Sequence, residues 1–173
     1  MDMLIDQELV LRPLQKSDLE FFQAWRNDME YIRDAQSIRF PKHEMLEEQW
    51  LEHVSMDISN RQVVFMMTLE GKPIGFVQFS AINWISRRAM LGIVIGDPGQ
   101  RGKGIGRRAM KLLVDYGFGK LNLHKISLEV TASNTAAVAL YEKLGFQTEG
   151  TFREHYYWAE EFHDVYYMSL IRS

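Results

Sequence analysis

The 173-residue chain contains no cysteine. Disulfide bonds, cysteine-ligated metal centres and a thiol nucleophile are therefore all excluded. The histidines lack the close spacing of metal ligands, so no metal site is expected. There are five of them: His43, His53, His124, His155 and His163. Any chemistry must then come from other side chains, from backbone groups or from a bound cosubstrate.

Strong net charge and long apolar runs are also missing. The formal net charge is −3 at pH 7, so a nucleic-acid partner is not expected on electrostatic grounds. No stretch is apolar for long enough to span a membrane, and the start, MDMLIDQELVLRPL, has early acidic residues and too short an apolar run for a signal peptide. We expect one cytoplasmic domain over residues 1–173, because 46% hydrophobic and 25% charged residues are ordinary proportions for a globular protein.

The first part of the sequence alternates strand and helix patterns. Residues 8–12 (ELVLR) alternate briefly before Pro13 and predict a first strand. Ser17 and Glu20 have capping-box spacing, which predicts that a helix begins at Ser17. Residues 41–58 predict a second helix. Its candidate core positions are Met45, Trp50, Leu51 and Val54.

The remaining elements complete an α+β pattern. Asn134 is a favourable N-cap for a helix that runs through Tyr141 and ends with Gly145 as its C′ residue. Further strands are predicted at residues 62–69, 74–82, 89–95 and 126–130, a helix at residues 105–118, and a pair of strands within residues 146–171. This order predicts a mixed, mostly antiparallel central sheet of about seven strands flanked by about four helices, rather than a doubly wound fold.

A glycine-rich, basic stretch leads into the third of these helices. Residues 100–113 read QRGKGIGRRAMKLL. A nucleotide P-loop is excluded because Gly104 follows Lys103 where serine or threonine is required. A dinucleotide fingerprint is set aside because residues 96–103 separate the glycines from the preceding strand. Backbone N–H groups at a helix start could instead hold a pyrophosphate, and the alternative is a plain turn whose basic side chains are solvated.

Two motifs resemble those of one family. Residues 101–106 (RGKGIG) match the (Q/R)-x-x-G-x-(G/A) signature of the GNAT superfamily of N-acetyltransferases, and residues 128–146 (LEVTASNTAAVALYEKLGF) are similar to its other characteristic stretch. LRPL, WRND and DVYYMSLI also have counterparts in that family. The detailed pattern is most similar to the branch of ribosomal-protein N-terminal, spermidine and amino-sugar acetyltransferases.

The resemblance implies how a cosubstrate is bound. It implies acetyl-CoA, with its pyrophosphate held by the amides of the glycine loop. The pantetheine arm would pair with a strand that splays from its parallel neighbour at residues 127–131. The expected binding residues are Ile93, Val94, Ile95, Arg101, Gly102, Lys103, Gly104, Ile105, Gly106, Arg107 and Asn134.

Acetyl transfer makes three demands on the protein. A lysine-type amine has a pKa of about 10.4 and must lose a proton before it attacks. The thioester oxygen needs a hydrogen-bond donor, and the departing thiolate needs a weak acid. Because cysteine is absent, an acyl-enzyme on sulfur is excluded, and direct attack in a ternary complex is the economical mechanism.

The resemblance supplies candidates for the acid and the base. Tyr141, in YEKLGF, is implied to protonate the thiolate, although its apolar neighbours would equally suit a core tyrosine. Glu129, in LEVTASN, is implied to be the base, although an ordinary polar strand residue would look the same. A chain of water molecules is the alternative base.

The acceptor is expected to be a small-molecule primary amine or a protein N-terminus. Glu44, Glu48 and Glu52 have i, i+4 spacing and could attract a polyamine, although such a run is more often the solvated side of a helix. Relatives often have Asn-Gly before the last strand, and Ala159-Glu160-Glu161 here suggests a longer or different turn. A non-catalytic acyl-CoA sensor is the rival class, and a homodimer is left open.

Overall fold

Eight strands form one mixed sheet in this computed structural model, which describes residues 4–34, 44–55 and 59–172. The strands are β1 (Leu4–Asp6), β2 (Leu9–Pro13), β3 (Val63–Leu69), β4 (Lys72–Asn83), β5 (Arg88–Ile95), β6 (Lys125–Thr131), β7 (Gln147–Trp158) and β8 (Glu161–Ile171). The helices are α1 (Leu19–Arg26), α2 (Met29–Asp34), α3 (Glu44–Ser55), α4 (Ile105–Gly119) and α5 (Thr135–Lys143). The strand order is β1-β2-β3-β4-β5-β6-β8-β7, which confirms the predicted α+β class with one strand more than expected.

The centre of the sheet opens between β5 and β6. Within the described ranges these two strands are the only parallel neighbours, and they pair only at Arg88–Lys125, Ala89–Ile126 and Met90–Ser127. Beyond that point β5 continues to Ile95 beside β4, while β6 continues to Thr131 beside β8. The predicted splay is therefore confirmed, and it leaves a gap at the carboxyl ends of both strands.

Helices cover both faces of the sheet. On one face, α4 and α5 pack over an apolar cluster that includes the buried Ile105, Leu113 and Ile126. On the other face, α1, α2 and α3 enclose a second cluster built around Phe22. Side chains alternate along a strand, so Ile93 and Ile95 of β5 pack against the first cluster and Val94 packs against the second.

The first helix begins differently from the prediction. A 3₁₀ turn (Lys16–Asp18) precedes α1, and the capping box joins Gln15 to Asp18 rather than Ser17 to Glu20. The Asp18 carboxylate is 1% exposed, accepts from the Gln15 backbone N–H at 2.8 Å and pairs with Arg12 at 2.6 Å. Asp18, and not Glu20, closes the capping box. The Asp18 carboxylate is paired inside the fold, whereas Glu20 lies on the surface of α1.

The second predicted helix is shorter within the described residues. α3 spans Glu44–Ser55, and residues 41–43 and 56–58 lie outside them. Met45 was wrong as a core position, because it is 70% exposed. Leu51 is buried, and Trp50 and Val54 pack against the second cluster, where the rings of Trp50 and Phe22 meet edge to face at 4.9 Å.

The predicted ends of the later helices are confirmed. α4 begins after Gly104, whose φ is 78°. Asn134 caps α5, and its Oδ1 accepts from the Ala137 N–H at 3.2 Å. Gly145 follows the helix with φ 93°, the left-handed conformation typical of a C′ glycine.

Candidate active site

The glycine loop presents unpaired backbone donors at the start of α4. Gly102 and Gly104 have φ of 73° and 78°, a region that favours glycine. The Arg108 N–H is the first of the helix to pair, with the Gly104 carbonyl at 3.3 Å. Among the described residues, no backbone carbonyl accepts from the amides of residues 102–107. These amides stand at the positive end of the helix and can receive an anionic group.

A cleft of about 190 Å³ lies in the gap beside the splayed strand. It contains many of the residues that the sequence predicted. Those among its walls are Ile93, Val94, Ile95, Arg101, Gly106, Asn134 and Tyr141, and they are joined by Tyr31, Ala137 and Leu140. The cleft therefore runs from the glycine loop along the free edge of β5 to α5.

Other predicted binding residues lie in the loop itself and not in the cleft wall. Gly102, Lys103, Gly104 and Arg107 are exposed, and Lys103 Nζ lies 3.4 Å from Gln100 Oε1. The Ile105 side chain is only 4% exposed and belongs to the core. Each of these residues can therefore offer a cosubstrate its amide, whereas the Ile105 side chain cannot reach it.

Arg101 connects the glycine loop to α2 and to the residue that precedes it. Its Nε donates to the Ile95 carbonyl at 3.1 Å. Its guanidinium forms an ion pair with Glu30 and lies 3.7 Å from Asp28. The sequence analysis placed Arg101 among the expected cosubstrate-binding residues. The structure shows that its charge is engaged in holding α2, and with it Tyr31, against the cleft.

Arg108 anchors the first turn of α4 to the first hairpin. Its Nε lies 2.6 Å from Asp6 Oδ2, and its Nη1 lies 2.8 Å from Glu8 Oε1. The hydrogen bond with Arg108 lowers the pKa of the Glu8 carboxyl, and the bond with Glu8 raises the pKa of Arg108. Arg108 therefore ties the end of the glycine loop to the first hairpin, on the side of α4 away from the cleft.

Tyr141 lies on α5, where the helix borders the cleft. Its ring is half-buried, and its centroid lies 6.2 Å from that of Phe146. The Asn134 cap sets the start of the helix, so Asn134 and Tyr141 reach the same cleft from two turns of α5. A phenol held in this way can deliver a proton to a group bound in the gap.

Glu129 is not among the residues that line the cleft. It is exposed on β6 opposite Tyr167 of β8, on the face that also carries Ser127 and Thr131. Thr131 lines a neighbouring cavity, and two residues along a strand span about 7 Å. Glu129 therefore lies two positions along the strand from a residue of this cavity, and direct contact with Tyr141 is not observed.

A second cavity of about 310 Å³ adjoins the cleft and shares Asn134 with it. Its walls are Arg33, Thr131, Ser133, Asn134, Tyr156, Trp158 and His163. Tyr156 and Trp158 line the cavity, whereas Tyr157 and Phe162 are exposed and contact each other at 4.9 Å. Arg33 was missed because its six-residue helix was not predicted.

The turn at the rim of this cavity is short. Trp158 pairs with Glu161, so only Ala159 and Glu160 connect β7 to β8. Their φ values are 51° and 65°, as a two-residue hairpin turn requires. Of the two expectations, a longer or a different turn, the turn is not longer, and it differs from Asn-Gly in that two non-glycine residues occupy the left-handed region.

The acidic side of α3 does not face the cleft or the second cavity. Glu48 and Glu52 line a separate cavity of about 480 Å³ with Lys16 and Leu19, and it shares no residue with the cleft or the second cavity. Glu48 and Glu52 therefore line neither the cleft nor the second cavity, and the suggested acidic rim stays a prediction. Within residues 4–34, 44–55 and 59–172, no helix has the length and apolar character to cross a membrane, and no cluster of three acidic or histidine side chains could hold a metal ion.

Open loop amides, splayed strands and a tyrosine on the following helix are the arrangement of an acyltransferase. Comparison with known proteins supports this class. A family model described as an acetyltransferase (GNAT) domain matches residues 8–147. The chain therefore belongs to the GNAT acetyltransferase family, and the prediction of an N-acetyltransferase is confirmed.

Within this family, the chain is similar over most of its length to spermidine acetyltransferases. Spermidine N(1)-acetyltransferase of Vibrio cholerae serotype O1 is 33% identical over 169 residues, which are 98% of this chain and 96% of that protein. The Escherichia coli K12 protein of the same name is 35% identical over 147 residues, 85% of this chain and 77% of that one. The crystal structure of the Vibrio cholerae enzyme with CoA and spermine has a TM-score of 0.88 at 32% identity and covers 96% of each chain.

Proposed function

We propose that the protein transfers an acetyl group from acetyl-CoA to a primary amine by direct attack in a ternary complex. The observation that carries this proposal is the set of unpaired amides at residues 102–107, which open beside the gap between β5 and β6. Every helix leaves its first N–H groups without an intrahelical partner, and they form an anion site where nothing covers them. Here Gly102 and Gly104 have no atom within 4 Å of an added Cβ, and the loop is exposed.

The residues present fit the cosubstrate. Exposed Gly102 and Gly104 have no atom within 4 Å of an added Cβ, so a diphosphate can approach the backbone closely. Ile93, Val94 and Ile95 line the cleft with strand edges that have no partner on β6, which suits the amide groups of a pantetheine arm. Acetyl-CoA, once bound, supplies the activated thioester. A strand amide at this edge would donate to the thioester oxygen as charge develops there.

Tyr141 is assigned the role of acid. A thiolate leaving group has a pKa of about 8.5, as for cysteine, and a phenol near pKa 10 can share its proton at neutral pH. The position of Tyr141 in the cleft wall supports this role. Glu129 is assigned the role of base through a water on the Thr131 side of β6. Its carboxylate would take the proton that the attacking amine must lose.

The acceptor belongs to the amines that relatives of this family acetylate. Spermidine, protein N-termini and amino sugars are the candidates, and the named relatives include two spermidine N(1)-acetyltransferases. The second cavity, which meets the cleft at Asn134, is the place where such an amine would approach the thioester.

The test follows thiol release from acetyl-CoA with a panel of amines. Tyr141→Phe should lower kcat about a hundredfold, because a positioned acid contributes at least that much, while the Kd for CoA stays within about twofold. Tyr157→Phe is the matched control, since Tyr157 is exposed on the hairpin, and it should leave kcat unchanged. CoA binding without thiol release for any amine would contradict the proposal and favour a sensor. An unchanged kcat in Tyr141→Phe would remove Tyr141 from the mechanism.

A further inference from the structure

The short helix α2 contributes to both parts of the site. Its Tyr31 lines the cleft, and its Arg33 lines the second cavity. We propose that Asp28 and Glu30 are positioning residues for acetyl transfer, because through Arg101 they join α2 to the loop that holds the cosubstrate. This inference rests on the proposed function, since it assumes that acetyl-CoA occupies the glycine loop.

A helix of only six residues depends on its surroundings for its position. Isolated helices shorter than about 12 residues are marginal in water, so α2 needs anchors outside itself. Asp28 caps its start, because Oδ1 accepts from the Tyr31 backbone N–H at 2.8 Å and the carbonyl accepts from the Ile32 N–H at 3.0 Å. Towards its end, the Ile32 carbonyl accepts from the Tyr156 hydroxyl at 3.3 Å. The Asp28 oxygen that caps α2 is also the one that lies 3.7 Å from Arg101 Nη2.

All three nitrogens of the Arg101 guanidinium face acceptors of the protein itself. Nε donates to the Ile95 carbonyl at 3.1 Å, at the end of the splayed strand. Nη1 donates to Glu30, and Nη2 faces Asp28. A guanidinium presents its donors in a rigid planar fork, so these acceptors fix its orientation. Arg101 therefore joins the end of β5 to the start of α2 at the first residue of the loop.

Cosubstrate binding does not require Arg101 to leave α2. The amides of residues 102–107 are the open donors for a diphosphate, since no backbone carbonyl of the described residues accepts from them. Gly102 directly follows Arg101, so a diphosphate on these amides restrains the backbone that carries the arginine. The restrained guanidinium keeps its contacts with Asp28 and Glu30. Bound cosubstrate therefore stabilises the position of α2, and by linkage an ordered α2 favours the cosubstrate.

The ion pairs are too exposed to dominate the stability of the fold. The side chains of Glu30 and Asp28 are 61% and 41% exposed, and pairs of this kind contribute little to the free energy of unfolding. Asp97, a further acid close to Arg101 in the chain, accepts from the Gly99 N–H at 2.8 Å. Variants that lose the charge of Glu30 or Asp28 should therefore fold normally and change the position of α2.

Hydrogen exchange of α2, followed by mass spectrometry with and without CoA, tests the inference without any acceptor. In the wild type we expect saturating CoA to slow the exchange of the peptide that covers α2 about threefold to tenfold. Glu30→Gln keeps the size of the side chain and removes its charge, so the slowing should fall below about twofold. Glu70→Gln removes an exposed charge in the turn between β3 and β4, and this control should behave like the wild type.

Steady-state kinetics provide a readout that a loss of stability alone would not produce. Glu30→Gln should raise the KM of the fastest amine of the panel about threefold to fivefold and leave kcat within about twofold, because α2 lines the cavity where the amine approaches. Asp28→Asn should act in the same direction, although asparagine still caps the helix. Thermal unfolding of each variant confirms that it is folded.

A double-mutant cycle shows whether Glu30 acts through Arg101. Arg101→Gln keeps a donor for the Ile95 carbonyl but removes the charge that faces α2. Because both substitutions break the same ion pair, adding Glu30→Gln to Arg101→Gln should raise the KM of the amine no further. Additive effects of the two substitutions would overturn the assigned role of Glu30.

The outcomes separate this inference from the proposed function. Equal slowing by CoA in the wild type and in Glu30→Gln would overturn the inference and leave the acetyltransferase function intact. Faster exchange of α2 in the wild type with CoA bound would do the same, because Arg101 would then leave α2 for the cosubstrate. A wild type that does not bind CoA, or that releases no thiol with any amine, would overturn the proposed function and this inference together.

Discussion

Trp25 of α1 lies directly against Gly96, the residue that follows the splayed strand. A Cβ built on Gly96 would lie 2.1 Å from Trp25 Cδ2, far inside van der Waals contact. The indole is only 7% exposed and is held by Phe21 and Phe22 at centroid distances of 5.7 and 6.1 Å. The first helix therefore sets the position of the chain where it leaves β5 for the glycine loop.

Gly96→Ala should damage both stability and CoA binding. The added methyl group meets a rigid ring and not a flexible chain end, so α1 or the end of β5 must move. Overpacking of this kind costs about 1–3 kcal/mol of the free energy of unfolding. Because Gly96 joins the cleft strand to the loop, we also expect the Kd for CoA to rise several-fold. Urea denaturation and a CoA titration measure the two effects.

Gly119→Ala is the control for this substitution. Gly119 ends α4, and a Cβ there would have no atom within 4 Å. Its free energy of unfolding should stay the same or rise slightly, because alanine favours helix more than glycine does. Wild-type stability and CoA affinity in Gly96→Ala would show that the contact with Trp25 does not position the loop.

Long, periodic elements could be predicted from the sequence, and short ones could not. Ile105, Ala109 and Leu113 recur at helical spacing and are all buried in α4, and Asn134 with Gly145 marked both ends of α5. The three residues of β1 and the six of α2 are too few to show a period, so both elements were missed. α2 brings Tyr31 and Arg33 to the two cavities, and its absence from the prediction hid them.

Ion pairs between residues far apart in the chain could not be predicted either. The signature located the loop, but Arg101 pairs with Glu30 at a separation of 71 residues and Arg108 with Asp6 at 102. Spacing in the sequence carries no information about such pairs, because the sheet topology brings them together. The sequence therefore placed Arg101 among the expected cosubstrate-binding residues, whereas the structure shows both arginines holding the loop.

The glycine at the helix start can be tested against a second glycine of the same geometry. Gly104 and Gly71 have φ of 78° and 79°, and neither has an atom within 4 Å of an added Cβ. Replacement by valine strains the backbone at both sites by a similar amount, about 1–2 kcal/mol. Only Gly104→Val also places a side chain where the diphosphate would approach the loop.

We therefore expect Gly104→Val to raise the Kd for CoA at least tenfold and Gly71→Val to leave it unchanged. Isothermal titration of CoA into each variant measures the difference, and thermal unfolding should show comparable losses of stability in both. Equal CoA affinity in the two variants would contradict the assignment of the loop as the diphosphate site.

Glu129→Gln tests the assigned base. Glutamine keeps the size and polarity of the side chain on the exposed face of β6 but cannot accept a proton from a bridging water. We expect kcat/KM for the best acceptor to fall about tenfold at neutral pH, less than for a base in direct contact, with the Kd for CoA unaltered. Glu70→Gln, in the turn between β3 and β4, removes an exposed carboxylate that lines neither the cleft nor the second cavity and should have no effect. Equal rates in wild type and Glu129→Gln would assign the proton to water alone, since an amine that loses its proton to solvent does not depend on this carboxylate.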